Sequence, residues 1–305
     1  MAHPIQPIEE RRLLGIGLAM SGYILFTVLD ASAKWLSHSG MPVGEVVFIR
    51  YAVQFMLVMA LFAPREGRAL VASRRPWLEV WRGLAILTST AFNFLALVYL
   101  PLTITSAISF TMPLITCAIS VPLLRETVGW RRWLAILAGF VGVLIIVRPG
   151  TEAFHPAVLL SVASAACLSI YMLLTRKLSG VDSVVTMQFY SGLIATVCVA
   201  PFAIAGWVWP HDAAGWIAFT LIGLTAMIGH TLVTLASRMA PASVLAPFTY
   251  VQIIFMTAFS IILFGQSPDE WLFVGALIVI GSGLYIWLRE RQIGKPVVTE
   301  VAAQD

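Results

Sequence analysis

The stretch PLTITSAISFTMPLITCAISVPLLRE, residues 101–126, is repeated in outline by PASVLAPFTYVQIIFMTAFSIILFGQ, residues 241–266. In each copy a proline opens an apolar run of membrane length, and a polar residue, Glu126 or Gln266, stands 25 positions after that proline. A second apolar run follows each copy, and Trp133 and Phe273 within these runs keep the same offset of 140 residues. Such a period indicates a chain built of two similar halves.

The composition predicts an all-α membrane protein. The 305-residue chain is 59% hydrophobic and 11% charged, whereas about 25% of the residues in a soluble domain carry charge. The apolar residues come in successive runs of about 20, the length that a helix needs to cross the hydrocarbon of a bilayer. Apolar runs and turn residues together predict ten transmembrane helices, at 13–36, 44–62, 77–100, 103–124, 130–147, 156–177, 184–205, 213–237, 242–264 and 270–288.

The lysines and arginines predict the orientation of these spans. Alternate turns are rich in basic residues, and cytoplasmic loops carry such an excess, so both termini are placed in the cytoplasm. Five spans in each half is an odd number, so the second half starts on the opposite side and forms a 5+5 inverted-topology repeat. We therefore divide the chain into an N-terminal repeat at 1–149, a C-terminal repeat at 150–292 and a cytoplasmic tail at 293–305.

Several classes of function are disfavoured by what the sequence lacks. The net charge of +4 is dispersed over turns, so no nucleic-acid partner is expected. The three cysteines lie inside apolar runs and predict neither disulfides nor metal ligands. We find no nucleotide-binding loop, zinc-protease motif or serine-hydrolase elbow. No cofactor, no metal and no enzymatic activity are therefore expected.

Ionisable residues inside the membrane are costly, and each is a candidate for a functional site. Asp30 and Lys34 stand one helical turn apart on span one and are expected to form an ion pair. Such a pair has two interpretations: it is structural, or one member binds a charged substrate group or a coupling proton. Arg50, near the start of span two, is interpreted as an arginine that reaches the interface.

Further polar residues are candidates for substrate binding. Arg82 on span three is either an interface anchor or a cation that faces the substrate, and Asn93 lies nearer the membrane centre. His230 is either a core histidine or a proton-sensitive element, because free imidazole titrates near neutral pH. Other candidates lie beside the mid-membrane prolines of spans four and nine, where a broken helix either lines a cavity or only packs: Phe110, Thr111, Tyr250 and Gln252.

These features resemble the drug/metabolite transporter superfamily, EamA type, over nearly the whole chain. The resemblance is carried by the ten spans, the inverted repeat and the segments at 45–51, 81–83, 107–113, 125–147 and 243–250. It implies a secondary carrier of small organic metabolites, with a cavity between the halves. In this family the fourth helix of each repeat commonly ends in Glu. Glu126 fits that pattern and is a candidate for proton coupling, whereas Gln266 departs from it.

The resulting hypothesis is a secondary transporter in a bacterial-type inner membrane that exports an amino acid by alternating access. Within the superfamily, spans two to four and span nine are also similar to carriers of S-adenosylmethionine, so that compound or another nucleoside-like metabolite is the alternative cargo. The family motifs leave the coupling ion open and allow a monomer or a weak homodimer. Two other classes are a membrane receptor or scaffold that binds without transport, and an intramembrane enzyme.

Overall fold

The computed structural model describes residues 8–124, 130–151, 154–178, 181–239 and 245–293. Every regular element within these ranges is helical. The α-helices, numbered in chain order, are α1 (Ile8–His38), α2 (Val43–Glu66), α3 (Pro76–Tyr99), α4 (Leu102–Ser109), α5 (Met112–Leu124), α6 (Trp130–Val147), α7 (Val158–Leu178), α8 (Val184–Ile204), α9 (Ala213–Met239), α10 (Gln252–Phe264) and α11 (Glu270–Ile293). Short 3-10 helices lie at Gly67–Leu70 and Ala246–Val251.

The helices have the lengths that a membrane protein requires. Within the described residues, eight helical segments are long and apolar enough to cross a bilayer, and shorter apolar segments lie at Trp133–Val147 and Phe248–Phe264. Each predicted span overlaps one of these segments. The structure therefore agrees with the predicted all-helical, multi-pass membrane architecture.

Local sequence signals set several helix ends. Proline stands at the start of α3, where its missing N–H costs no hydrogen bond. The side chain of Ser183 caps α8 by accepting a hydrogen bond from the Thr186 amide. Gly265 ends α10 with a left-handed conformation, φ 63°, which glycine adopts without steric cost.

The fourth and ninth spans are broken inside the apolar run. The fourth divides into α4 and α5 at Phe110 and Thr111, directly before the turn that carries Pro113. The ninth begins as a 3-10 helix that contains Pro247 and continues as α10. Proline removes one backbone donor and disfavours helical geometry in the residue before it, so both breaks follow from the sequence.

The main helix pairings are the same when the two halves of the chain are exchanged. α1 packs along α9, and α3 packs along α7. These two pairings are interchanged when α1 is matched with α7 and α3 with α9. Two further pairings, α2 with α8 and α6 with α11, each join a helix to its own counterpart.

The contact between α1 and α3 has no counterpart in this pattern. The C-terminal parts of α1 and α3 meet, whereas no comparable contact joins α7 to α9 among the described residues. The two halves therefore pack in related but unequal ways.

Candidate functional site

A hydrogen bond between Asp30 and Asn93 lies where α1 meets α3. Asn93 Nδ2 donates to Asp30 Oδ1 at 3.1 Å. Both side chains are half-buried, and both belong to the residues that the sequence predicts as functional. The structure therefore brings two of the predicted candidates together.

Lys34 is held by the end of α3 rather than by Asp30. Its Nζ donates to the Leu97 carbonyl at 3.0 Å and to the Leu100 carbonyl at 2.6 Å. The ammonium also lies 5.3 Å from the centre of the Phe264 ring. Carbonyls at a helix C-terminus lack helical partners and attract cations, so Lys34 caps α3. The structure shows no ion pair between Asp30 and Lys34; each side chain instead bonds to α3 or to the residue that follows it.

Arg50, which the sequence analysis placed at the interface, is buried in the protein. Its side chain is 5% exposed, and its Cζ lies 4.2 Å from the centre of the Tyr51 ring. The Tyr51 hydroxyl lies 2.8 Å from Thr90 Oγ1 on α3, one turn before Asn93. The signal that could have found Arg50 is an arginine flanked by apolar residues on both sides, in the run VVFIRYAV.

His230 of α9 packs against α1. Its ring forms an edge contact with Phe26, with ring centroids 4.8 Å apart. The α1 and α9 backbones come close here, since a Cβ on Gly229 would lie 2.9 Å from the Phe26 ring. Phe26 and Asp30 stand one turn apart on α1, so His230 packs against the face of α1 that carries Asp30. We call Asp30, Arg50, Asn93 and His230 the central cluster.

Arg82 lies in a separate buried network between α3, α7 and α8. Its guanidinium donates hydrogen bonds to Thr175, Tyr171, Ser191, the Met187 carbonyl and Glu79. The side chain is 3% exposed, so it is not an interface anchor. A guanidinium has five N–H donors, and protein groups in this network accept from all three of its nitrogens.

The candidates beside the helix breaks form a second group. Phe110 and Tyr250 meet edge to face with ring centroids 5.2 Å apart, so the two breaks touch. The hydroxyl of Thr111 is buried and donates to the Ile108 carbonyl at 2.6 Å. Gln252 lies half-buried at the start of α10. Glu126 lies outside the described residues.

A cavity of about 190 Å³ lies between α2, α8 and α9. Its polar side chains are Gln54, Gln188, Thr231 and Thr234, and the rest of its wall is apolar. Gln54 Nε2 donates to Gln188 Oε1 at 2.9 Å. Gln54 and Arg50 stand one turn apart on α2, so this cavity adjoins the central cluster along the helix.

A larger depression of about 440 Å³ lies between α6 and α11. Its wall includes the exposed side chains of Trp130, Leu134 and Tyr285. The central cluster contributes no residue to it. We therefore regard the central cluster and the smaller cavity as the candidate site.

The comparison with protein families decides the class of this protein. The EamA-like transporter family matches residues 13–148 and, separately, residues 155–288. The chain belongs to the EamA-like transporter family. This membership confirms the resemblance that the sequence motifs indicate.

Named bacterial relatives of this EamA-like protein cover most of its length. The S-adenosylmethionine uptake transporter of Rickettsia felis is 27% identical over 92% of this chain and 94% of that protein. The riboflavin transporter of Vibrio cholerae is 27% identical, again over 92% and 94%. The pseudopaline exporter of Pseudomonas aeruginosa is 26% identical over 87% and 93%.

A solved crystal structure shows the same fold. It matches 93% of the EamA-like chain and 99% of its own chain with a TM-score of 0.61 at 17% identity. Together, the family, the relatives and the helices make this protein a multi-pass membrane transporter of a small metabolite. The relatives are named as transporters, in agreement with the prediction of a non-enzymatic protein.

Proposed function

We propose that this protein is a secondary transporter of the bacterial inner membrane that moves a small zwitterionic metabolite by alternating access between two inverted halves. The observation that carries the proposal is the unequal packing of the two halves. α1 is held against α3 by the bond from Asn93 to Asp30 and by Lys34. The equivalent helices α7 and α9 make no comparable contact in the described residues.

The division into repeats at 1–149 and 150–292, followed by a tail at 293–305, is supported by two kinds of observation. The family matches the chain twice, once in each part. The pairings of α1 with α9 and of α3 with α7 are interchanged by the same division. With five spans in each part the second repeat is inverted, and the basic turns place both termini in the cytoplasm.

In this orientation, the contact between α1 and α3 closes the outer side. Asp30 and Asn93 lie toward the C-terminal ends of α1 and α3, which are the outer ends of both helices. The equivalent ends of α7 and α9 are cytoplasmic. The cavity between α2, α8 and α9 extends toward this side, since Phe62, Val184 and Leu235 line it. The conformation is therefore open to the cytoplasm, and the opposite state would form the contact between α7 and α9 and release that between α1 and α3.

We propose S-adenosylmethionine as the first cargo to test, with a free amino acid second. The Rickettsia felis relative named for S-adenosylmethionine uptake motivates this choice; its similarity covers 92% of this chain, as does that of the riboflavin transporter. Both compounds carry an α-amino acid head group, which fits a cluster that holds both a carboxylate and a guanidinium. Riboflavin, which the Vibrio cholerae relative is named for, lacks that group and serves as the discriminating third compound.

The direction of transport and the coupling ion are parts of the same proposal. The sequence predicts export, while the Rickettsia felis relative is named an uptake transporter. Proton coupling would use Asp30 or Glu126, and Lys34 is the third candidate. A monomer or a weak homodimer remains the predicted state.

A flux assay tests the proposal. Purified protein in proteoliposomes is given labelled S-adenosylmethionine, methionine, other amino acids or riboflavin, in both orientations and with or without a pH gradient. We expect saturable flux of at least one zwitterion above that of protein-free liposomes. Flux that is absent for every compound, in each orientation, would contradict the proposed function.

A further inference from the structure

Arg50 is a buried cation without an ion-pair partner among the described residues. Its side chain is 5% exposed, and both Nε and Nη1 are buried without a hydrogen-bond partner among the described residues. Its Cζ lies over the Tyr51 ring, 4.2 Å from the ring centre. Arg82 is buried to a similar extent, yet its guanidinium has Glu79 and four other partners.

The contrast between these two arginines indicates a ligand at Arg50. Burying a guanidinium without an anion is among the most costly arrangements in a protein, and the Arg82 network shows how this chain avoids it elsewhere. The guanidinium presents parallel N–H donors that match the two oxygens of a carboxylate. An anionic group of the cargo would therefore accept the hydrogen bonds that Arg50 Nε and Nη1 do not make within the protein.

Asp30 and Arg50 are both linked to the same part of α3. The hydroxyl of Tyr51, which follows Arg50, lies 2.8 Å from Thr90 Oγ1. Asn93, one turn further along α3, donates to Asp30. The two side chains themselves form no ion pair in the described part of the chain. Asp30 instead accepts one hydrogen bond from the neutral Asn93 amide. A carboxylate has about four acceptor sites, so Asp30 retains capacity for a cationic donor.

We propose that Arg50 and Asp30 together bind the α-amino acid head group of the cargo, Arg50 at its carboxylate and Asp30 at its ammonium group. This inference rests on the proposed function and narrows it. It assigns the cargo to metabolites that carry a free α-amino acid group, whatever the rest of the molecule is. Methionine and S-adenosylmethionine share that group, and riboflavin does not have it.

Binding to the full-length protein in lipid nanodiscs tests this assignment with four probes. These are methionine, S-adenosylmethionine and the decarboxylated analogue of each. The wild-type protein should bind the two carboxylate-bearing probes more tightly. Arg50→Gln should weaken their binding by roughly 10- to 100-fold, the range for a hydrogen bond to a charged group, and leave the decarboxylated probes within about twofold.

Three further variants keep the test decisive. Arg148→Gln is the matched control, because Arg148 is partly exposed and paired with Asp269; it should leave all four affinities unchanged. Arg50→Lys keeps the charge but loses the parallel N–H donors of the guanidinium, so its affinity for the carboxylate-bearing probes should lie between those of the wild type and Arg50→Gln. It replaces Arg50→Gln if that variant does not fold. Asp30→Asn should weaken the binding of methionine more than the binding of desamino methionine, which serves as a fifth probe for this variant only.

The results separate this inference from the proposed function. The assignment is overturned if the wild-type protein binds the decarboxylated probes as well as the intact ones, binds none of them, or keeps its preference in Arg50→Gln. An Arg50-dependent preference without flux would retain the head-group site and reject the transporter. Flux that does not depend on Arg50 would retain the transporter and reject the head-group site.

Discussion

Asn93 donates a hydrogen bond to the Asp30 carboxylate at 3.1 Å and thereby joins α3 to α1. The bond lies in the C-terminal parts of both helices, where Lys34 also binds the last carbonyls of α3. No comparable contact joins α7 to α9 among the described residues. The two halves are related, yet only α1 and α3 are joined in this way. We therefore expect an alternative state in which α7 contacts α9 and the contact between α1 and α3 is released.

Cysteine labelling should report this difference. In a background without the three native cysteines, Thr231→Cys lies in the cavity between α2, α8 and α9, and Leu97→Cys is buried where α1 meets α3. We expect a membrane-impermeant thiol reagent to label the Thr231 variant from the cytoplasmic side. The Leu97 variant should resist labelling from either side.

The exposed residue Ser39 in the turn between α1 and α2 supplies the control. Ser39→Cys should be labelled only from the outer side, which fixes the orientation of the chain. Labelling of the Thr231 variant only from outside, or rapid labelling of the Leu97 variant, would show that the assigned open side is wrong.

Arg82→Ala should lower stability more than it alters ligand preference. The substitution removes the group that joins Glu79 to α7 and α8, and it leaves the Glu79 carboxylate buried without its partner. Breaking a buried ion pair costs roughly 3–5 kcal/mol. We expect less folded protein in detergent and an earlier thermal transition by scanning fluorimetry. Arg75→Ala, at an exposed position, should change neither, and a fully stable Arg82 variant would contradict the role of this network.

His230→Ala should weaken cargo binding without reducing the amount of folded protein. The imidazole lies against Phe26, which stands one turn from Asp30 on α1, so its loss alters the wall of the central cluster. The expected effect is about tenfold in affinity, the value of one hydrogen bond or aromatic contact. Isothermal titration with S-adenosylmethionine and methionine measures it. The exposed His211 provides the control as His211→Ala, and equal affinities for the two variants would return His230 to a packing role.

Most of the fold could be predicted from the sequence because the bilayer imposes one simple rule. A span needs a continuous apolar run, so each predicted span overlaps a helical segment, and prolines at 113 and 247 marked the breaks. The pairing of α1 with α9 and of α3 with α7 could not be predicted in this way. Such pairings depend on complementary surfaces between residues far apart in the chain, for which a single sequence carries no periodic signal.

The side-chain partners at the candidate site were predicted less well than the fold. The spacing of Asp30 and Lys34 favours a local ion pair, yet Lys34 bonds to the carbonyls of Leu97 and Leu100. No sequence pattern marks a backbone carbonyl as a partner. Arg50 was assigned to the interface because a long side chain near a helix end can reach water; only the packing around it shows that it does not. Phe110 and Tyr250 lie at the two breaks and contact each other; their part in substrate binding stays a prediction.

Close packing between α6 and α11 should be sensitive to one glycine and not to another. A Cβ on Gly275 would lie 2.5 Å from the Gly142 carbonyl oxygen, whereas a Cβ on Gly281 would meet nothing within 4 Å. Overpacking of this kind costs about 1–3 kcal/mol. We therefore expect Gly275→Ala to lower the thermal transition and Gly281→Ala to leave it unchanged or raise it slightly, both read in the same detergent. Equal behaviour of the two variants would show that the helices do not approach as closely as described.

The most direct measurement of the central claim is counterflow. Proteoliposomes are loaded with unlabelled S-adenosylmethionine, diluted into a trace of the labelled compound, and followed for transient accumulation; methionine is tested in parallel. A carrier that exposes one site alternately to the two sides should accumulate label above its external concentration, and Arg50→Gln should abolish most of this accumulation. Label that never exceeds the level in protein-free liposomes, for both compounds, would contradict the account.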